Sequence, residues 1–228
     1  MGVLGAYNVQ NVSAVLYYGL HNLQHRGQEG AGMATFNNEG QCFRFRGLGL
    51  VDSIFNNSVI ETLQGNIGMA SVLYGNVTKG GLDNVQPLFF HHRSGDFVVA
   101  SDGQLINAKQ IAEYLDRSGT IFHTSLDSEL MAHLIKKRNN EDRIHNIINA
   151  LNMMDGGFTF LIMTQNRLYA CRDKYGIKPL VIGKLGDGYV VSSESCAFEI
   201  MGAEFIRDVE PGEIVCFDDK GIRSNRYA

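Results

Sequence analysis

The chain has 228 residues and a net charge of −4, with 44% hydrophobic and 19% charged residues. That composition describes an ordinary globular chain long enough for a large core, and it argues against a nucleic-acid surface, because the densest basic cluster is only Lys136-Lys137-Arg138. No basic-then-apolar leader opens the sequence and no apolar run approaches the ~20 residues of a membrane helix, so a cytoplasmic location is expected, with neither nucleic acid nor membrane as a partner.

Residues 3–7 read as a short apolar strand at the very terminus. Asn11 is placed as the N-cap of a helix in which Val12, Val15, Leu16, Leu20 and Leu23 recur at helical spacing to about residue 25. Gly27, Gly30 and Gly32 break it. Residues 33–36 and 42–46 read as strands around an Asn37-Asn38-Glu39-Gly40 turn. Next come a short helix over 53–63, a buried strand over 67–74 and a loop over 75–85. A second hairpin pairs 88–91 with 97–101 across Arg93-Ser94-Gly95-Asp96. Asp102-Gly103 reads as the turn that ends it, and His91-His92 as solvated.

Three helices follow. Asn107 caps the first, whose buried face is Ala108, Ile111, Ala112 and Leu115. Asp127 starts the second as its N-cap, ahead of Leu130, Met131, Leu134 and Ile135. The third carries the stripe Ile144, Ile147, Ile148 and Leu151. Beyond Gly156-Gly157, strands are predicted at 158–163, 167–171, 180–182 and 189–193. A short helix over 197–201 and two last strands, near Ile206 and over 214–217, complete the chain. Two blocks of hairpins with no βαβ alternation predict an α+β fold of two mostly antiparallel sheets with helices on their outer faces. Residues 1–228 read as one domain. Cys42, Cys171, Cys196 and Cys216 have neither redox nor zinc spacing and are expected to be reduced core thiols. The seven histidines show no ligand spacing, so no metal or cofactor is expected.

The run Leu23-Gln24-His25-Arg26-Gly27-Gln28-Glu29-Gly30-Ala31-Gly32, with Tyr17-Tyr18-Gly19-Leu20 before it, closely resembles the class II glutamine amidotransferases, in the form of the glutaminase domain of amidophosphoribosyltransferases. Residues 122–130, Arg172-Asp173-Lys174-Tyr175-Gly176-Ile177-Lys178-Pro179-Leu180, Ser192-Ser193-Glu194-Ser195-Cys196-Ala197 and residues 202–213 extend the resemblance over essentially the whole chain. It implies an N-terminal-nucleophile fold, a four-layer αββα sandwich. In that family an N-terminal cysteine attacks the side-chain amide of glutamine, its own α-amine serves as base, and the ammonia passes to a phosphoribosyltransferase domain. That following domain is expected to be absent here.

Position by position, the resemblance also implies losses. Where the family begins Cys-Gly-Val-Phe-Gly, this chain has Met1-Gly2-Val3-Leu4-Gly5, and a thioether has no proton to lose. The family strand Gly-His-Val-Arg-Tyr-Ser-Thr maps onto Ala70-Ser71-Val72-Leu73-Tyr74-Gly75-Asn76, so Leu73 replaces the arginine that clamps the glutamine α-carboxylate. The family loop His-Asn-Gly-Asn maps onto Ser101-Asp102-Gly103-Gln104, so Asp102 replaces an oxyanion-hole asparagine. Arg26, Gly27, Tyr74, Gly103 and Asp127 match; Asp127 corresponds to the residue that holds the glutamine α-amine. The implied site is a vestigial catalytic group of Met1, Arg26, Gly27, Asp102 and Gly103 beside the ligand positions Leu73, Tyr74 and Asp127.

Simpler roles stand beside these. Arg26 pairs with a nearby acid, and residues 215–219 form a strand and turn rather than a phosphoribosyl pyrophosphate loop. The expected function is a degenerate amidotransferase-like protein without glutaminase activity, acting as a binding, regulatory or scaffold subunit. Its expected partners are a small ligand in the old pocket, a separate phosphoribosyltransferase subunit or a second copy. Two alternatives remain: a fragment of an active amidophosphoribosyltransferase, and a hydrolase with chemistry relocated to Ser71, Ser101 and Asp102 on adjacent strand ends. The second has no histidine or lysine mapped beside those groups as a base.

Overall fold

Strands buried on both faces build the architecture, each sending alternate side chains into two different cores. The computed structural model describes residues 1–75, 81–137 and 142–228. Asn76, Arg138 and part of the predicted 75–85 loop lie outside these described residues. The first sheet contains β1 (Gly2–Tyr7), β2 (Gly30–Phe36), β3 (Cys42–Leu48), β4 (Ile67–Leu73), β9 (Val181–Leu185), β10 (Gly188–Ser192) and β11 (Glu204–Asp208), in the order β11-β9-β10-β1-β4-β2-β3. The second contains β5 (Leu88–Phe90), β6 (Phe97–Leu105), β7 (Gly156–Thr164), β8 (Arg167–Arg172), β12 (Glu213–Asp218) and β13 (Gly221–Arg226), in the order β13-β12-β8-β7-β6-β5. All the described pairings are antiparallel.

The two sheets face each other across one core, to which Val3, Met69, Val98, Ala100, Leu161, Met163 and Val191 contribute. The intervening residues point outward. Leu4, Ala6, Ala70 and Val72 pack under α1 (Val12–Asn22) and α7 (Cys196–Met201). Val99, Phe160 and Ile162 pack under α4 (Ala108–Asp116), α5 (Asp127–Lys137) and α6 (Arg143–Asn152). The layers are therefore helix, sheet, sheet, helix, as the resemblance implies. Among the described residues no helix is long and apolar enough to cross a membrane.

Several local expectations are corrected. The predicted 53–63 helix divides into α2 (Val51–Ile54) and α3 (Asn57–Thr62), because the Asn56 side chain accepts from Val59 N–H at 2.9 Å and starts a new helix. Gly30 and Gly32 are strand residues of β2. Asp102-Gly103 is not a turn: β6 runs through it, with Asp102 opposite Thr159 and Gly103 opposite Phe158. The turn preference of the dipeptide is overridden by that ladder. Gly103 has φ +115°, and an added Cβ there would run into the Gly157 carbonyl. Asn11 and Asn107 sit at helix starts but make no cap hydrogen bond. Asn107 instead ties Met153 O to Asp155 N. A third strand, β13, follows the two predicted at the C-terminal end. Cys196 is exposed rather than a core thiol.

Candidate functional site

β1 lies inside the first sheet between β10 and β4, and this fixes residue 1. Val3 N–H donates to Ser193 Oγ at 2.9 Å, and Ser193 N–H to Val3 O at 3.0 Å. Gln86 completes the anchorage. Its Nε2 donates to Met1 Sδ at 3.3 Å and to Ser101 O at 2.9 Å, and its Oε1 accepts from Ser101 N–H at 2.7 Å. Ser71 Oγ donates to Gln86 O at 2.8 Å. Gln86 is buried and joins β4 of one sheet to β6 of the other. Ser71 and Ser101 are therefore not adjacent strand ends, and both hydroxyls are engaged by Gln86, Ser101 Oγ at 3.3 Å from its Oε1.

Asp102 is the electrostatic centre. It is 1% exposed and gathers three cations. Arg26 Nη2 donates to Oδ2 at 2.5 Å, while the Met1 α-ammonium and Lys178 Nζ stand 3.4 and 3.6 Å from Oδ1. Oδ1 makes no directed hydrogen bond, so its burial is compensated by charge alone. Arg26 also donates from Nε to Met1 O at 3.0 Å and from Nη1 to Glu194. Gly27 lets the chain pass, since a Cβ there would strike the Leu73 carbonyl. Burial lowers the α-amine of Met1 below its ordinary pKa, with Asp102 pulling the other way. A depressed amine suits a general base, but Met1 offers it no proton to take.

Met1, Asp102, Gly103, Tyr74, Asp127, Ile177 and Lys178 line one cavity of about 570 Å³. Leu73 does not line it; it is buried at the end of β4, opposite Gly30. Tyr74, just beyond that strand, is 70% exposed. Asp127 is not an N-cap: its Oδ2 accepts from Leu105 N–H at 2.8 Å, back on β6. Among the described residues no cation pairs with Asp127. Burial raises its pKa, opposed by the Leu105 hydrogen bond. An acid whose pKa is raised on folding loses stability as pH climbs through the folded value. Asp127→Asn keeps an acceptor for Leu105 and removes the buried charge. It is therefore expected to gain stability relative to wild type as pH rises above the ordinary carboxylate range, whereas Asp127→Ala orphans Leu105 N–H and loses about 1 kcal/mol. Urea titrations of the three proteins across that pH range check this, and a gain for Asn that shrinks with rising pH would refute it.

Two residues of the site escape a reading of the sequence. The sequence maps no lysine beside Asp102, yet the loop after β8 places Lys178 Nζ 3.6 Å from its Oδ1. Asp173, fully buried, accepts backbone N–H bonds from Phe158 (3.3 Å), Tyr175 (3.0 Å), Ile177 (3.0 Å) and Lys178 (3.1 Å), which pin the loop backbone to it. Gln86 lies just past a loop with no periodic signal, and only its polar character beside Pro87 set it apart.

The glutamine amidotransferase domain family matches residues 79–199. The amidophosphoribosyltransferase of Bacillus subtilis (strain 168) is 41% identical over all of this chain, which covers 48% of that protein. A solved structure of glutamine phosphoribosylpyrophosphate amidotransferase from Bacillus subtilis, complexed with ADP and GMP, superposes with a TM-score of 0.95 at 40% identity, covering all of this chain and 49% of the other. A structure described as the allosteric regulatory enzyme of purine biosynthesis gives 0.97 at 41%, with the same coverage. The chain spans about half the length of the curated relatives it matches. It belongs to the glutamine amidotransferase domain family, in its class II, N-terminal-nucleophile form.

Proposed function

We propose that this domain has lost glutaminase turnover and acts as a binding or regulatory partner of a phosphoribosyltransferase, with a small-molecule ligand in the former glutamine cavity. The observation that carries the reading is the buried carboxylate of Asp102 at the position mapped to the oxyanion donor. An acyl-transfer intermediate develops negative charge there. Loss of one donor costs ~3 kcal/mol of transition-state stabilisation, and a carboxylate adds repulsion. Met1 supplies no nucleophile, Leu73 no guanidinium, and the nearby serine hydroxyls are bonded to Gln86. Asp127, which lines the cavity and has no cation partner among the described residues, favours a ligand that presents an ammonium group.

The purified protein is expected to release no glutamate or ammonia from glutamine above a no-protein control. It is also expected to show no thermal stabilisation by millimolar glutamine, while a screen of amines, nucleotides and phosphoribosyl compounds finds a ligand whose effect Asp127→Asn removes. Glutamine-dependent ammonia release that Asp127→Ala abolishes would refute the reading.

The half-length match favours a second reading, in which the chain is the glutaminase half of a longer amidophosphoribosyltransferase. It predicts a coding sequence with a cysteine codon ahead of Gly2 and a phosphoribosyltransferase downstream. Reading the flanking gene sequence decides between them.

A further inference from the structure

Outside the cavity, the fold brings one side chain of the N-terminal quarter against two that lie about 170 positions later. His25 sits in the 3₁₀ turn Gln24–Arg26 after α1, and Glu194 and Cys196 stand where β10 passes into α7. The His25 Nε2, Glu194 carboxylate and Cys196 Sγ atoms lie within 4.8 Å of one another. Nε2 is 3.0 Å from Glu194 Oε2, and Sγ is 3.7 Å from the same oxygen. A tetrahedral zinc ion at its usual ligand distances needs N···O and S···O separations of about 3.3 and 3.6 Å. The observed edges are close to both.

The surroundings hold these atoms in place. Asn22 O faces His25 Nδ1 at 3.1 Å and Cys196 Sγ at 3.8 Å, and the Asn22 amide donates to Cys196 O at 3.0 Å. A backbone carbonyl on Nδ1 is the usual partner of a metal-bound imidazole, because it leaves the Nε2 lone pair for the ion. Here that lone pair points at a carboxylate oxygen. Two acceptors 3.0 Å apart need either a second ring proton or a cation between them. Glu194 Oε1 is separately held by Arg26, which leaves Oε2 for a ligand.

We propose that His25, Glu194 and Cys196 bind one borderline-soft divalent cation of the zinc class. Thiolate and carboxylate balance its charge, and the mixed S, N, O donor set disfavours magnesium and calcium. The His25 side chain is 55% exposed and Cys196 is exposed, so solvent can reach the site to supply a fourth ligand. Through Glu194 and Arg26 the ion stands one guanidinium away from Met1 and Asp102.

The test uses the full chain, stripped with chelator and kept reduced, titrated with Co²⁺ and with Zn²⁺ against a chromophoric competitor. One Co²⁺ per chain with thiolate-to-cobalt charge-transfer absorption is expected. Cys196→Ser should abolish that band, and His25→Ala should weaken Zn²⁺ binding about tenfold or more. His145→Ala, whose imidazole pairs with Asp142 elsewhere, should change neither. Absence of the band from the wild-type protein, its survival in Cys196→Ser, or unaltered Zn²⁺ affinity in His25→Ala would overturn the site.

Discussion

Replacing Asp102 by asparagine is expected to lower the unfolding free energy by about 3 kcal/mol, the cost of leaving buried partners of an ion pair uncompensated. The neutral amide leaves the Met1 ammonium and Lys178 without their counter-charge and leaves Arg26 with Glu194 alone. The effect should not divide evenly among them. Lys178 is about a third exposed and 3.6 Å away, so Lys178→Met should cost under ~1 kcal/mol. The double variant should recover part of the Asp102→Asn loss, because one of the stranded cations is then gone. Chemical denaturation at neutral pH measures all three. A loss below ~1 kcal/mol for Asp102→Asn would mean that water or a side-chain shift solvates the three cations, and that Asp102 does not hold the terminus in place.

Asp173→Ala is expected to be more damaging still. It removes the charged acceptor of four backbone donors, one buried and three part-buried, and at ~1 kcal/mol for each charge-assisted bond the total reaches about 4 kcal/mol. Asp173→Asn should do less harm. One oxygen survives as an acceptor, so the two N–H groups that share it stay satisfied while the other pair meets an amide nitrogen. Hydrogen exchange provides a local readout: the amides of Tyr175, Ile177 and Lys178 should exchange faster in the alanine variant wherever it remains folded. The same loop presents Ile177 and Lys178 to the cavity, so ligand stabilisation should fall together with protection. Equal behaviour of the alanine and asparagine variants would show that the side chain acts through charge rather than through directed acceptance.

The layered fold was legible because its strands are apolar on both faces and its helices on one. β6 and β7 read as apolar runs since Val98 and Leu161 enter one core while Val99 and Phe160 enter another. Residue 1 was placeable from the strand that begins beside it and from the Leu23-to-Gly32 run. What failed were polar residues whose partners are remote in sequence. Asp102-Gly103 has strong local turn preference, and only pairing with Thr159 and Phe158 makes it strand. Asp127 has the chemistry of a cap, but its partner is Leu105 across the cavity wall. Lys178 and Gln86 occupy loops, where no periodicity announces which way a side chain points. The His25, Glu194 and Cys196 cluster joins residues about 170 positions apart, beyond the reach of any spacing rule.

β13 was hidden from the apolar pattern by its own composition, Gly-Ile-Arg-Ser-Asn-Arg. It is an edge strand over β12, all six of whose residues are buried. Stripped of that cover, β12 would offer a row of unsatisfied amides and carbonyls flanked by Ile214, Val215 and Phe217, a template for intermolecular strand addition. β13 takes up those amides with a polar strand, whose Arg223 pairs with Asp218 and whose Arg226 donates to Pro211 O at 3.2 Å. In place of the apolar row of β12 it presents serine, asparagine and arginine, a poor template for a further strand. The polarity that conceals β13 in the sequence is thus what suits it to cover β12.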